Sequence, residues 1–109
     1  MPTSIASGTK TADGTEQDLA TDTSNKTYVL FVSLENMVNG ECVELRLYHK
    51  TLSGGAERLA LPTAVYVNAQ DSDSFSVPVP ADIHIRATLK QTAYVSAYKD
   101  FPWKLLSLV

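Results

Sequence analysis

Cysteine and histidine, two residue types that often bind metals, are almost missing from this sequence. Cys42 is the single cysteine among 109 residues, which excludes a disulfide within the chain and a zinc site built from cysteines. The two histidines, His49 and His84, are far apart in sequence and provide too few ligands for a histidine-rich centre. We therefore expect no metal and no other cofactor.

Long apolar runs and clusters of basic residues are missing as well. The longest apolar run, "YVLFV", is far too short to cross a bilayer, and "MPTSIASGTK" lacks the pattern of a secretory signal. The net charge of −3 arises within residues 1–25, whereas acidic and basic residues balance over residues 26–109. Nucleic-acid binding needs clustered lysine and arginine to replace counterions. We expect neither a membrane nor a nucleic acid as a partner.

Catalytic motifs are also absent. The sequence contains neither G-x-S-x-G nor H-E-x-x-H, and the glycines at 54 and 55 lack the rest of a phosphate-binding loop. Asp71 and Asp73 fit a polar loop better than a calcium loop, which needs further ligands at fixed spacing. The sequence predicts that the protein is not an enzyme. A small cupin-like enzyme is an alternative that stoichiometric iron or zinc would favour.

What the sequence has instead is short-range alternation of apolar and polar residues, the pattern of β-strands. "CVELRLYHKT" places one valine and two leucines on one side and Glu44, Arg46 and Tyr48 on the other. "KTYVLFVSLE" is apolar on both sides, with Val29 and Phe31 on the second, which is typical of a strand covered on both faces. The Asn-Gly pair at 39–40 predicts a hairpin turn.

Seven or eight such strands separated by turns predict an all-β fold, an antiparallel β-sandwich of jelly-roll type. Pro78 and Pro80 within "SVPVP" place that segment at a sheet edge, because proline cannot donate to a β-ladder. Most of the aromatic side chains should lie in the core. The predicted aliphatic core consists of Leu30, Val32, Val43, Leu45, Leu47, Leu59, Val65, Val67, Val77, Ile83, Ile85 and Leu89.

The first 25 residues differ from the rest of the chain. They are rich in threonine, serine, aspartate, alanine and glycine, with few large apolar side chains. Because such a segment buries little, we expect an extended or flexible N-terminal arm at 1–25 and a β-sandwich domain at 26–109. Deleting residues 2–15 should then leave the stability of the sandwich nearly unchanged.

Several stretches of this chain resemble small proteins encoded among the virion structural genes of tailed bacteriophages. They are "SGTKTADGTEQDLAT", "YVLFVSLENMVNGECVELRLYHKTLSGGAERLA", "VPVPADIHIRATLKQTA" and "FPWKLLSL". Members are described as hypothetical structural proteins or as capsid decoration (cement) proteins. The likeness is one of pattern, above all in N-G-x-x-V-E-L-R, L-S-G-G and L-K-Q-T, and covers nearly the whole chain. It implies a β-sandwich or jelly roll without catalytic activity that binds other virion proteins.

The resemblance implies a location on the capsid surface of the virion, with assembly in the host bacterial cytoplasm. The expected partner is the phage major capsid protein, and the expected arrangement is a homo-oligomer, with a trimer as the first choice. We expect contacts from the arm and from loop tips, at Thr3, Ile5, Lys10, Ser53, Gly54, Gly55, Asp71 and Asp73. Alternatives are a head–tail connector, a tail-associated protein, or a carbohydrate-binding sandwich for receptor recognition, which would expose aromatics on one sheet face.

Overall fold

The protein is built from β-strands that form two antiparallel sheets packed face to face, which confirms the predicted sandwich. The structure, a computed structural model, describes residues 2–108; Met1 and Val109, the outer limits of the predicted ranges, lie outside it. Across the described residues no helix is long and apolar enough to span a membrane. The strands are β1 (Pro2–Thr11), β2 (Gln17–Asp22), β3 (Lys26–Val32), β4 (Cys42–His49), β5 (Arg58–Leu59), β6 (Ala64–Val67), β7 (Ser74–Phe75), β8 (Val79–Ala81), β9 (Ile85–Ala93) and β10 (Asp100–Leu108).

The strand pairs are nested within one another. Sheet 1 has the order β1-β10-β3, with β7 and β8 along the far edge of β3; sheet 2 has the order β2-β9-β4, with β5 and β6 along the far edge of β4. The first strand thus pairs with the last, and the second with the one before it. β7 and β8 together occupy the place of one edge strand, and so do β5 and β6. Counted in this way, the chain forms a long hairpin wound around the core, which is the jelly-roll arrangement.

Prolines interrupt both free edges of the sandwich beside β3 and β4. The edge of sheet 2 breaks between β5 and β6 at residues 60–63, which include Pro62, and the edge of sheet 1 breaks between β7 and β8 at residues 76–78. Pro80 pairs with Thr27 at the outer side of β3, where its missing N–H leaves no ladder bond unmade. The edge position of the proline-rich segment is therefore confirmed.

The N-terminal residues predicted as an arm are extended, and they are paired within both sheets. β1 runs along β10 from Pro2 opposite Leu108 to Thr11 opposite Asp100, with a bulge at Ile5. β2 pairs with β9, and Leu19 and Ala12 are buried in the core. Residues 2–22 therefore belong to the sandwich in this structure, and the expectation that residues 2–15 contribute little to stability no longer follows.

The predicted core is right in the central strands and wrong at the edges. Buried as predicted are Leu30, Val32, Val43, Leu45, Leu47, Ile85 and Leu89, whereas Ile83 is half-buried and Leu59, Val65, Val67 and Val77 are exposed. The core also contains side chains outside that prediction, including Tyr28, Leu34, Met37 and Leu105. Among the aromatics, Phe101 is fully buried and Tyr94 is exposed.

Pairing register explains the error in β6. Tyr66 lies opposite the buried Val43, and Val65 lies opposite the outward-facing Glu44, because directly paired residues share a face of the sheet. Turning Tyr66 inward covers its large ring, and its hydroxyl lies 2.8 Å from Ser74 Oγ, so the polar group is satisfied. The two valines of β6 face outward as a consequence.

The turn at Asn39-Gly40 forms, but the predicted hairpin does not. Glu41 N donates to Val38 O at 3.2 Å, and Gly40 has a φ of +98°, which favours glycine. The flanking strands β3 and β4 lie in different sheets, so the turn carries the chain across the sandwich. The hairpin prediction was wrong because a local turn signal does not specify which strands pair.

Candidate interaction surfaces

The outer face of sheet 2 carries a network of charged side chains centred on Arg86; we call it the charged face. Arg86 donates from Nη2 and Nε to the Glu57 carboxylate at 2.7 and 3.0 Å, and from Nη1 to Asp18. Its guanidinium also lies 4.4 Å from the centre of the Tyr48 ring. These contacts tie strands β2, β4 and β9 to the loop that precedes β5.

His84 and Glu57 could be considered an acid–base pair, since His84 Nε2 lies 2.6 Å from Glu57 Oε2. The hydrogen bonds from Arg86 lower the pKa of Glu57 more than burial raises it, and those from His84 lower it further. A carboxylate held ionised by an arginine is a weak proton acceptor. The geometry therefore fits a structural tie better than a general base.

A second part of the charged face is organised by Glu16. Its carboxylate accepts hydrogen bonds from the hydroxyls of Tyr48 at 2.6 Å and Thr88 at 2.7 Å. Burial by itself raises the pKa of Glu16, but the two hydroxyl donors together with the charges of Arg46 and Arg86 outweigh it, and the pKa lies below its usual value. The same bond to Glu16 raises the pKa of Tyr48. Thr88 is buried on the outer side of its strand, so the loop before β2 covers part of this face.

One end of the sandwich is held together by a buried carboxylate. Glu41 is fully buried, and its carboxylate accepts bonds from the backbone N–H groups of Val38 and Val95 and from Lys99 Nζ at 2.8 Å. Burial raises the pKa of Glu41, but Lys99 and the two backbone donors lower it below its usual value. Since Lys99 also donates to two carbonyls of its own loop, this cluster fixes the loops at 33–41 and 94–99 against each other.

The outer face of sheet 1 is apolar by contrast; we call it the apolar face. Phe75 is 67% exposed and stacks on Phe31, with ring centres 5.7 Å apart. Lys104 Nζ lies over the same Phe31 ring at 5.4 Å. Its apolar part lies on β3, β7, β8 and β10, and strand alternation assigns to it Val29, Phe31, Phe75, Pro80, Pro102, Lys104, Leu106 and Leu108, of which Val29 is already buried. The same register places polar residues beside it, namely Ser7, Thr9, Thr11, Thr27 and Asp100.

Exposed apolar side chains continue around the edge where β5 and β6 face β7. Leu59, Val65, Val67 and Val77 are exposed there. Between the two edges a cleft of about 270 Å³ reaches the core side chains Leu30, Leu45 and Leu47. From residue 59 to residue 70 the chain has no charged side chain, which is the composition of an interface core.

The predicted partner-binding residues fall at opposite ends of the sandwich, so the structure does not bring them together. Ser53, Gly54 and Gly55 are exposed at the tip of the β4–β5 hairpin, closed by Gly55 N donating to Leu52 O at 2.9 Å. Leu52, at the same tip, is 71% exposed. The strand register places Thr3 toward this end, because β1 begins opposite the end of β10.

The remaining predicted residues lie elsewhere. Asp71 and Asp73 are exposed in the loop between β6 and β7, at the other end of the sandwich, where Asp73 accepts a bond from Leu34 N at 3.2 Å. Lys10 lies near the end of β1 on that side. Ile5 sits at the bulge of β1 and packs partly against the core. Asp73 and Ile5 thus have structural roles in addition to any contact they make.

The sequence analysis predicted neither the charged network on sheet 2 nor the exposed apolar side chains on sheet 1. The carboxylates of Glu16 and Glu57 come from loops, and no local pattern indicates which strand residues they reach. The apolar face had a readable signal, because Val29 and Phe31 make β3 apolar on both sides and that pattern requires a cover. Within residues 2–108 no three His, Cys, Asp or Glu side chains are grouped so that they could hold a metal ion.

No protein-family model matches the chain, and no curated protein matches it significantly.

Proposed function

We propose that this protein is a non-enzymatic structural component of a tailed-bacteriophage virion that decorates the capsid by binding the major capsid protein. The observation that carries the proposal is how the polar and apolar groups are distributed. The charged groups around Arg86 and Glu16 on sheet 2 are engaged with one another, and large apolar side chains are exposed at a loop tip, along an edge and on one sheet face. Such a body is suited to being covered by other proteins rather than to transforming a substrate.

The β4–β5 hairpin tip is the proposed contact with the shell. Leu52 projects from a tight turn, and its neighbours Ser53 to Gly55 have no bulky side chain that would keep a partner away. A Cβ added at Gly54 would meet nothing within 4 Å, so this backbone is open to an approaching surface. Many copies on a shell make one weak contact per subunit sufficient through avidity.

The test is to mix the purified protein with undecorated capsids and to image the particles. The proposal expects saturable density at symmetry-related sites on the shell. Leu52→Ser should weaken that binding without a change in melting temperature, because Leu52 buries little in the free protein. The matched control is Val38→Ser, an exposed apolar residue in the loop at the other end. Binding to a connector ring, a tail tube or a glycan, with none to shells, would overturn the proposal.

A further inference from the structure

The free edge of sheet 1 along β1 is long and is not blunted over its second half. The opposite edge of the same sheet is cut into β7 and β8, with Pro78 in the gap between them. β1 instead runs for ten residues, has its bulge at Ile5, and continues in regular pairing to Thr11 without a proline. Such an edge is a template for pairing with another strand. We infer that β1 pairs antiparallel with β1 of a second copy of this chain, across a two-fold axis at Thr9.

The neighbouring edge of the sandwich, along β2 in sheet 2, is protected by comparison. β2 has six residues, and a bulge at Leu19 divides them. It also carries two carboxylates, Asp18 and Asp22. A bulge and charged side chains are two of the features that keep an edge from pairing. β1 is therefore the edge that is open to a further strand.

The strand register shows which backbone groups of β1 are free. Just past the end of β1, Ala12 donates its N–H to Lys99 O at 3.1 Å, on the side of β10. Because alternate residues of a strand direct their N–H and C=O to the same side, the even-numbered residues after the bulge also bond to β10. Ser7, Thr9 and Thr11 direct theirs to the opposite side, where no strand of the described chain pairs with them. All three are exposed.

A two-fold axis at Thr9 uses all of these free groups. Thr9 then lies opposite Thr9 of the other copy, and Ser7 of each copy lies opposite Thr11 of the other. Each pair exchanges two bonds, which gives about six backbone hydrogen bonds. Their side chains lie on the outer face of the sheet, where threonine and serine form favourable cross-strand pairs.

The other face of the same pairing indicates why the partner is a copy of this chain. Lys10 is the one charged residue of β1, and the axis places it opposite Gly8 of the other copy. Like charges are therefore not directly opposed. Gly8 leaves room for the long lysine, and the half-buried indole of Trp103 lies over Gly8. The stem of Lys10 can pack on that ring in both directions, so the edge complements itself in size and in charge.

The inference concerns the isolated protein and does not depend on attachment to a shell. Sheet 1 of one copy becomes continuous with sheet 1 of the other, and the hairpin tip at Leu52 takes no part in the pairing. The arrangement differs from the trimer expected from the resemblance, because a two-fold axis makes a dimer.

The first experiment measures mass by sedimentation equilibrium over a wide range of concentration. The wild-type protein should be a dimer in equilibrium with monomer. Thr9→Asp and Thr9→Lys should each weaken dimerisation by about tenfold or more, because residue 9 meets its own copy at the axis and like charges then face each other. An equimolar mixture of the two variants should dimerise again, since aspartate then faces lysine.

The matched control is Thr3→Asp, the same change at an exposed position of β1 on the far side of the bulge. It should leave the dimer unchanged, because residue 3 lies outside the paired segment. Circular dichroism melts of each variant check that it is folded.

Hydrogen exchange of the wild-type protein tests the same pairing without a substitution. The N–H groups of Ser7, Thr9 and Thr11 should exchange about tenfold or more slowly at concentrations that favour the dimer than at high dilution. Those of Gly8 and Lys10 should depend far less on concentration, because they bond to β10 within one copy.

A wild-type protein that stays monomeric, forms a trimer, or dimerises with an affinity that Thr9→Asp does not change would overturn the inference. Protection of Ser7, Thr9 and Thr11 only on capsids would assign this edge to a strand of the shell and would overturn it as well. The effect of Leu52→Ser on capsid binding is measured separately, so failure of the dimer and failure of the proposed function give different results.

Discussion

The two outer faces of this sandwich differ in the side chains that they expose to water. On the charged face, Arg86, Glu57, Glu16 and their partners bond to one another and cover their own strands. On the apolar face, Phe31 and Phe75 stack together, yet Phe75 is left open to water. The polar groups of the first face are satisfied within one chain, whereas the second face keeps a large aromatic side chain in water. The two faces of one fold therefore differ in surface chemistry: one is held by internal polar contacts, and the other leaves apolar surface in water.

The core that both faces share should be the most sensitive part of the molecule. Ile85 in sheet 2 and Leu105 in sheet 1 are both fully buried. Ile85→Asp or Leu105→Asp should prevent folding, because an unpaired carboxylate would be buried without a partner. Loss of the far-UV β signal checks this. Arg86→Ser, on the outer side of the same strand as Ile85, is the control and should still fold; if Ile85→Asp folds equally well, the assigned faces of β9 are wrong.

Removing β1 should produce the next largest effect and would damage the apolar side selectively. Deleting residues 2–11 removes the partner of β10, including Gly8, which lies opposite Trp103 and where an added Cβ would touch the indole ring. We expect a loss of about 2 kcal/mol or more, seen as a melting temperature lower by about 10 °C. The sequence alone led to the opposite expectation, so an unchanged melt would restore the view of this segment as a separate arm.

The charged face should make a moderate contribution. Arg86→Gln removes the ties to Glu57 and Asp18, and we expect a cost of about 1–2 kcal/mol in a denaturant melt, given that the site is partly exposed. Lys90→Gln, an outward-facing change on the same strand, is the matched control and should cost less than about 0.5 kcal/mol. Equal effects from the two variants would show that the network adds no stability.

The same network predicts how stability depends on pH. The lowered pKa values of Glu16 and Glu57 mean that folding favours their ionised forms. This contribution is complete above the ordinary glutamate pKa of about 4.3 and is lost as the pH falls through the lower native values. The melting temperature should therefore fall from about pH 5 to about pH 3 in the wild type and fall less in Glu57→Gln. An unchanged slope in that variant would contradict the prediction.

The apolar face should contribute least to the stability of the monomer. We expect Phe75→Ser to change the unfolding free energy by about 1 kcal/mol or less, because most of the ring is already in water. Its measurable effect should instead be weaker binding of an apolar dye such as ANS at pH 7. Val77→Ser, an exposed change just beyond β7, is the comparison that shows whether the signal is specific to the stacked ring.

Much of the sandwich was predictable because alternation is a local property. The buried sides of β4 and β9 follow directly from their sequences, and so does the edge position of the prolines. Residues 65 and 67 were assigned to the wrong face because the competing residue in β6, Tyr66, has both a large ring and a hydroxyl partner in another sheet. Which strands pair was not readable, since the Asn39-Gly40 turn looks alike whether it joins neighbours or crosses between sheets.

The surfaces were less predictable than the core. A loop carboxylate such as Glu57 is next to Arg86 only after the jelly roll has formed, and their separation in sequence carries no periodic signal. The exposed Leu52 was outside the predicted contact set even though the glycines beside it were included. Turn chemistry indicated where the chain bends but not which side chain the bend displays.

The nested pairing of the strands also sets the order in which this molecule can form. β10 is the hydrogen-bonding partner of β1, so all of the intervening chain must be synthesised before the ladder of β1 can close. Contacts between residues so distant in sequence carry a loop-closure cost before they stabilise anything, and folds dominated by them form on timescales of about milliseconds to seconds. Until then β3 can pair with β7 and β8 on one side only, and its other side has no partner. In incomplete chains the proline-interrupted edges should therefore limit strand pairing between copies until β10 has been made.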